Sequence, residues 1–234
     1  MLQDNLMYVF LLAVVGVIAL TANYILSMRE QQNKVKEERL KFLAAQGEHI
    51  TQALAVLREA GCKEVIVEKI DEHLLSIIEE VGMLAPDSPL YADLTAQKNA
   101  ADNATADPQV FASDKAVKRA QIYINFSEKL VMQMARGGKL TTTLARNFKH
   151  ELYRLKVNVV VGAHRSQGLR YKDRDEPLIA LSHFKHAKAL LVGCALPTIQ
   201  KKEQLQELQE LITEVEPKRN RLEQELSSGY DKVW

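Results

Sequence analysis

The sequence predicts an all-α protein: one N-terminal transmembrane helix, a helical-hairpin domain behind it, and a C-terminal coiled-coil-like helix. Three observations predict it. Apolar residues recur at spacings of three and four along most of the chain, the period of one helix face. Gly (10) and Pro (6) are scarce among 234 residues and fall mostly at breaks in that period. Residues 6–26, LMYVFLLAVVGVIALTANYIL, form a mostly apolar run without a charge. At about 1.5 Å of rise per residue, a helix of that length crosses a ~30 Å hydrocarbon core.

The run reads as a retained anchor over residues 1–28. A cleaved signal peptide wants a basic start, a shorter apolar core and a small-residue cleavage site. Here no Lys or Arg precedes Leu6, and Leu20-Thr21-Ala22 is a poor site. Arg29, Lys34, Lys36, Arg39 and Lys41 follow the run, in a juxtamembrane stalk over 29–41. Lys and Arg resist translocation, so the expected placement is a single-pass protein of the inner (cytoplasmic) membrane. Its N-terminus lies outside and the C-terminal domain in the cytoplasm. Cys62 and Cys194, the two cysteines, show no disulfide framework and read as core thiols.

Residues 42–82 predict an acidic helical hairpin. Leu43, Ile50, Leu54 and Leu57 share one face, and Gly61 suits the end of that helix. Ile66, Ile70, Leu74, Ile77 and Val81 supply the face of the second helix. Residues 83–108, with Pro86, Pro89, Pro108 and the aperiodic AQKNAADNATADP, predict a linker or long loop. Residues 109–196 form a basic helical domain. Its first helix begins near Asp107 or Ser113 and stops at Gly137-Gly138. A Thr among 141–143 caps the next, whose seam is Leu144, Phe148, Leu152, Leu155 and Val159. After the charged break 172–177, a further helix spans about Leu178 to Cys194. The C-terminal segment 197–234 repeats Leu205, Leu208, Ile212, Val215, Leu222 and Leu226 with Pro217 inside, so self-association through 199–228 is expected alongside packing on the domain itself.

Charge is segregated. Residues 47–114 hold 4 Lys+Arg against 13 Asp+Glu, whereas residues 115–188 hold 16 against 5. The two parts dock on each other, or the basic part faces anionic lipid or nucleic acid. The candidate basic surface is Arg146, Lys149, Arg154, Lys156, Arg170 and Lys172. No nucleic-acid-binding motif accompanies it.

Residues 161–194 carry one recognisable spacing, Gly168-x-x-Tyr171 followed by Ala180-x-x-x-Phe184-x-x-Ala187. It resembles a single degenerate tetratricopeptide repeat. Small residues at 168 and 180 suit a close helix crossing, and Tyr171 and Phe184 fill the space between the helices. His164 and Gln167 stand where the family has Trp and Leu, and no second copy lies 34 residues to either side. The resemblance implies a TPR-like pair that docks a partner segment without chemistry; a generic helical bundle is the alternative.

No catalytic, cofactor or metal residue is assigned. His183 and His186 lie three apart on one helix, with His150 and His164 on the preceding one, but Lys185 and Lys188 interleave and oppose a cation. Around Gly137-Gly138-Lys139-Leu140-Thr141 the first Gly and the Lys-Ser/Thr pair of a phosphate loop are missing. A fold in which His150, His164, His183 or His186 were buried and convergent would reopen the enzyme class. The expected function is a membrane-anchored cytoplasmic scaffold or protein–protein interaction module, with protein partners at the membrane and lipid contact through 6–26. The alternative is nucleic-acid or anionic-lipid binding through 115–188.

Overall fold

The computed structural model describes residues 2–105, 111 and 113–216, with the side chains of 2–19, 22 and 200 left out. Among the described residues there are seven helices and no strand. They are α1 (Leu2–Glu59), α2 (Glu64–Leu84), α3 (Pro89–Asp102), α4 (Asp114–Arg136), α5 (Thr142–Asp173), α6 (Pro177–Gly193) and α7 (Thr198–Val215).

The all-α expectation stands; the membrane-spanning part of it is corrected. Among the described residues no helix is long and apolar enough to cross a membrane. The transmembrane helix, lipid contact through 6–26 and the single-pass inner-membrane placement are withdrawn with that finding. The side chains of 6–19 lie outside the described residues. From Leu20 on, Thr21, Asn23 and Ser27 interrupt the run before the charges begin at Arg29. α1 itself continues unbroken to Glu59, so the anchor and stalk are not separate elements.

The linker over 83–108 is corrected too, since α3 occupies most of it. Pro89 opens α3, where its missing N–H costs nothing, and the Ser88 hydroxyl accepts from Leu90 N at 3.3 Å. Residues 106–110 and 112, at the end of this stretch, lie outside the described residues.

Contacts divide the chain into two compact units. The first comprises residues up to His49 together with Leu75–Ala96. Leu94 of α3 packs on Gly47 of α1, and Tyr91 packs on Gly82 of α2. Leu43, Ile77, Ile78 and Val81 are buried there, and Arg39 pairs with Glu80 at 2.6 Å.

The second unit holds Ile50–Leu74 and the chain from Gln97 on. Three of its turns share one device. Gly61 (φ 70°), Gly138 (φ 74°) and Asp175 (φ 61°) take the left-handed conformation after a helix. In each case the next N–H reaches back five residues: Cys62 to Leu57 O, Lys139 to Met134 O, Glu176 to Tyr171 O, all 2.9 Å. This closes the orphan carbonyls of the helix end. Starts are equally local. The Ser113 hydroxyl accepts from Ala116 N and that of Thr141 from Leu144 N, while Pro177 sits in the first turn of α6.

Within this unit α4 packs on α5, α5 on α6 and α6 on α7. Val161, Ala180, Phe184, Ala187 and Leu191 form one apolar cluster with Leu208, Ile212 and Val215 of α7. The seam of the C-terminal helix is thus buried against its own chain. Residues 217–234, including Pro217, Leu222 and Leu226, lie outside the described residues.

Candidate interaction groove and histidine cluster

The antiparallel packing of α4, α5 and α6 leaves a groove of about 500 Å³. Val157 and Val160 of α5 and Ala189 and Leu190 of α6 line it with apolar surface, beside Gln121, Tyr153, Lys156 and His186. The Tyr153 hydroxyl accepts from Ala195 N at 3.2 Å, which ties the end of α6 to α5. Lys156 is held in place: its Nζ donates to Asn125 Oδ1 and Glu128 Oε1, each at 2.8 Å.

Asn125 and Glu128 also line a second hollow, of about 580 Å³, on the α4–α5 surface. Lys129, Arg136 and Lys149 line it as well and are exposed. Glu128 is its single carboxylate and is already paired with Lys156. The apolar groove and the cationic hollow are thus linked through Lys156, which lines the first and is hydrogen-bonded to Asn125 and Glu128 of the second.

The candidate basic surface does not form one patch. Arg154 pairs with Glu151 at 2.9 Å, Lys156 with Glu128, and Lys172 with Glu214 at 2.5 Å. Arg146, Lys149 and Arg170 are exposed. Positions 146 and 172 of one helix stand roughly 39 Å apart along its axis. Part of the excess positive charge is met by α7, whose Glu207 and Glu214 pair with Arg165 and Lys172.

The residues of the tetratricopeptide-like spacing come together. Gly168 is buried, and Ala180, Phe184 and Ala187 are fully enclosed. Tyr171 is half-buried and stacks on the His183 ring, with centroids 5.4 Å apart and planes within 8°. The resembling stretch takes in only the last part of α5, a helix of 32 residues.

The same helix pair gathers three of the four histidines. His164 Nδ1 lies 3.4 Å from His183 Nδ1, and the His164 and His186 rings meet edge-on at 4.4 Å between centroids. Burial, then the neighbouring His186 and His183, hold His164 below the ordinary histidine range, with Asp114 opposing them. His150 is exposed and lies 14 residues before His164, about 21 Å away along α5. Among the described residues, no group of three or more His, Cys, Asp or Glu side chains is arranged to hold a metal ion.

Burial pushes the Cys62 thiol up to about 12, against the pull of the Lys63 N–H, so thiolate is scarce near neutral pH. Cys194 donates its S–H to Leu191 O at 3.0 Å.

Compared with known proteins, the chain matches no family model, no curated protein and no solved structure.

Proposed function

We propose that this chain is a non-catalytic protein–protein interaction module whose α4–α6 groove receives a partner helix. The occupant is an amphipathic helix with small apolar anchors and an acidic end. The observation that supports this reading is that Lys156, on the apolar groove, is hydrogen-bonded to Asn125 and Glu128 of the cationic hollow. Apolar side chains of the partner cover Val157, Val160, Ala189 and Leu190, which removes apolar surface from water. Its acidic end meets Lys129, Arg136 and Lys149, which orients the helix more than it adds affinity. The reading treats residues 161–194 as a TPR-like pair, in keeping with partner docking.

A photo-reactive residue at Ala189, exposed in the groove, tests this, with one at Lys202 of α7 as control. The expected result is a discrete adduct from position 189 alone, mapped by mass spectrometry to an acidic amphipathic segment. Adducts with nucleic acid or lipid, or equal labelling from both positions, would count against it.

A further inference from the structure

His164, His183 and His186 meet at the α5–α6 crossing, and of the three His186 also lines the groove. We propose that this cluster binds a divalent transition-metal ion, with His164 and His183 as the primary ligands through Nδ1. Two nitrogens held about 2.1 Å from one tetrahedral ion stand roughly 3.4 Å apart. The His164 and His183 Nδ1 atoms are separated by 3.4 Å. That distance is long for an N–H hydrogen bond, so the pair is better spaced to share an ion than a proton.

The surroundings fit. Stacking on Tyr171 fixes the plane of His183. The lysines that oppose a cation in the sequence are drawn away to α7. Lys188 Nζ donates to Gln209 Oε1 at 2.6 Å, and Lys185 lies 3.8 Å from Glu216. Arg165 is engaged by Glu207. Arg170 and Arg174 share the hollow beside His183 with Asp114, whose carboxylate offsets part of their charge. The rings do not form a three-ligand cage as they stand. His186 supplies the third ligand by rotating its ring, and water completes the shell. Imidazole ligands without thiolate or carboxylate suit Zn²⁺, Ni²⁺ or Cu²⁺, and exclude Mg²⁺ and Ca²⁺.

Calorimetric titration of the full chain with Zn²⁺ alone, and with Ni²⁺ alone, tests the site. One ion per chain is expected, with affinity about tenfold or more weaker in His164→Ala and in His183→Ala, and unchanged in His150→Ala. Zn²⁺ should raise the thermal midpoint of the wild type and leave that of His183→Gln unmoved; circular dichroism of this less intrusive variant checks that the helices persist. The proposal fails if wild type binds no ion, if His183→Gln binds like wild type, or if His150→Ala weakens binding as much.

Discussion

Gly168 of α5 faces the ring of Phe184 of α6 so closely that a methyl group on its α-carbon would stand 2.5 Å from Phe184 Cε1. Phe184 is fully enclosed, so its ring has no room to retreat. Gly162, one and a half turns earlier on the same helix, has nothing within 4 Å of the equivalent position. The two glycines therefore predict opposite outcomes. Gly168→Ala should destabilise the fold by ~1–3 kcal/mol through overpacking. Gly162→Ala should stabilise it by about 0.5–1 kcal/mol, because alanine is the better helix former. Urea unfolding of both variants checks this; a Gly168→Ala chain as stable as the wild type would deny that α5 and α6 cross closely at Gly168.

The packing of α7 leads to a second expectation. Leu208 is almost fully buried among Phe184, Ala187 and Leu191 of its own chain. Leu208→Ala should cost ~2–5 kcal/mol, the range for emptying a buried leucine site. The loss should be the same across a wide range of protein concentration. A loss that appears only at high concentration would mean that the seam is buried between chains instead.

His73 supplies a pH dependence. Lys139 Nζ donates to His73 Nδ1 at 2.9 Å. Burial, then the Lys139 charge, hold the imidazole below its ordinary value of 6.5. The unfolded chain thus takes up a proton at His73 before the folded chain does. Its contribution to stability is fully present above about pH 6.5 and declines as pH falls through the lowered value. The stability difference between wild type and His73→Gln, followed by urea midpoints from pH 8 to 5, should shift against the wild type on the acid side. A difference that is flat, or moves the other way, contradicts the assignment.

Legibility in the sequence followed the range of the interactions. The ends of α4, α5 and α6 were readable because Ser113, Thr141, Pro177 and Gly138 act on backbone within a few residues of themselves. α3 was not. Its helix is weakly apolar, and Tyr91 and Leu94 gain partners, Gly82 and Gly47, only through tertiary contact. The apolar run at 6–26 satisfied a length and hydropathy rule, yet no described helix meets the requirement for a span. The groove left no local mark, since Val157 and Ala189 are set side by side by the α5–α6 register. The histidines were half visible. His183 and His186 share a face by spacing, but His164 joins them because it lies one turn before Gly168, in the register that seats Gly168 on Phe184.

The most direct measurement is the affinity of the segment crosslinked from position 189 for the purified chain, for wild type and Ala189→Arg, at low and high salt. The account predicts a loss of about tenfold or more on placing an arginine in the groove, and a much smaller loss on raising salt, because apolar contact dominates. Equal affinity for both chains, or binding that collapses steeply with salt as phosphate-backbone binding does, would contradict it.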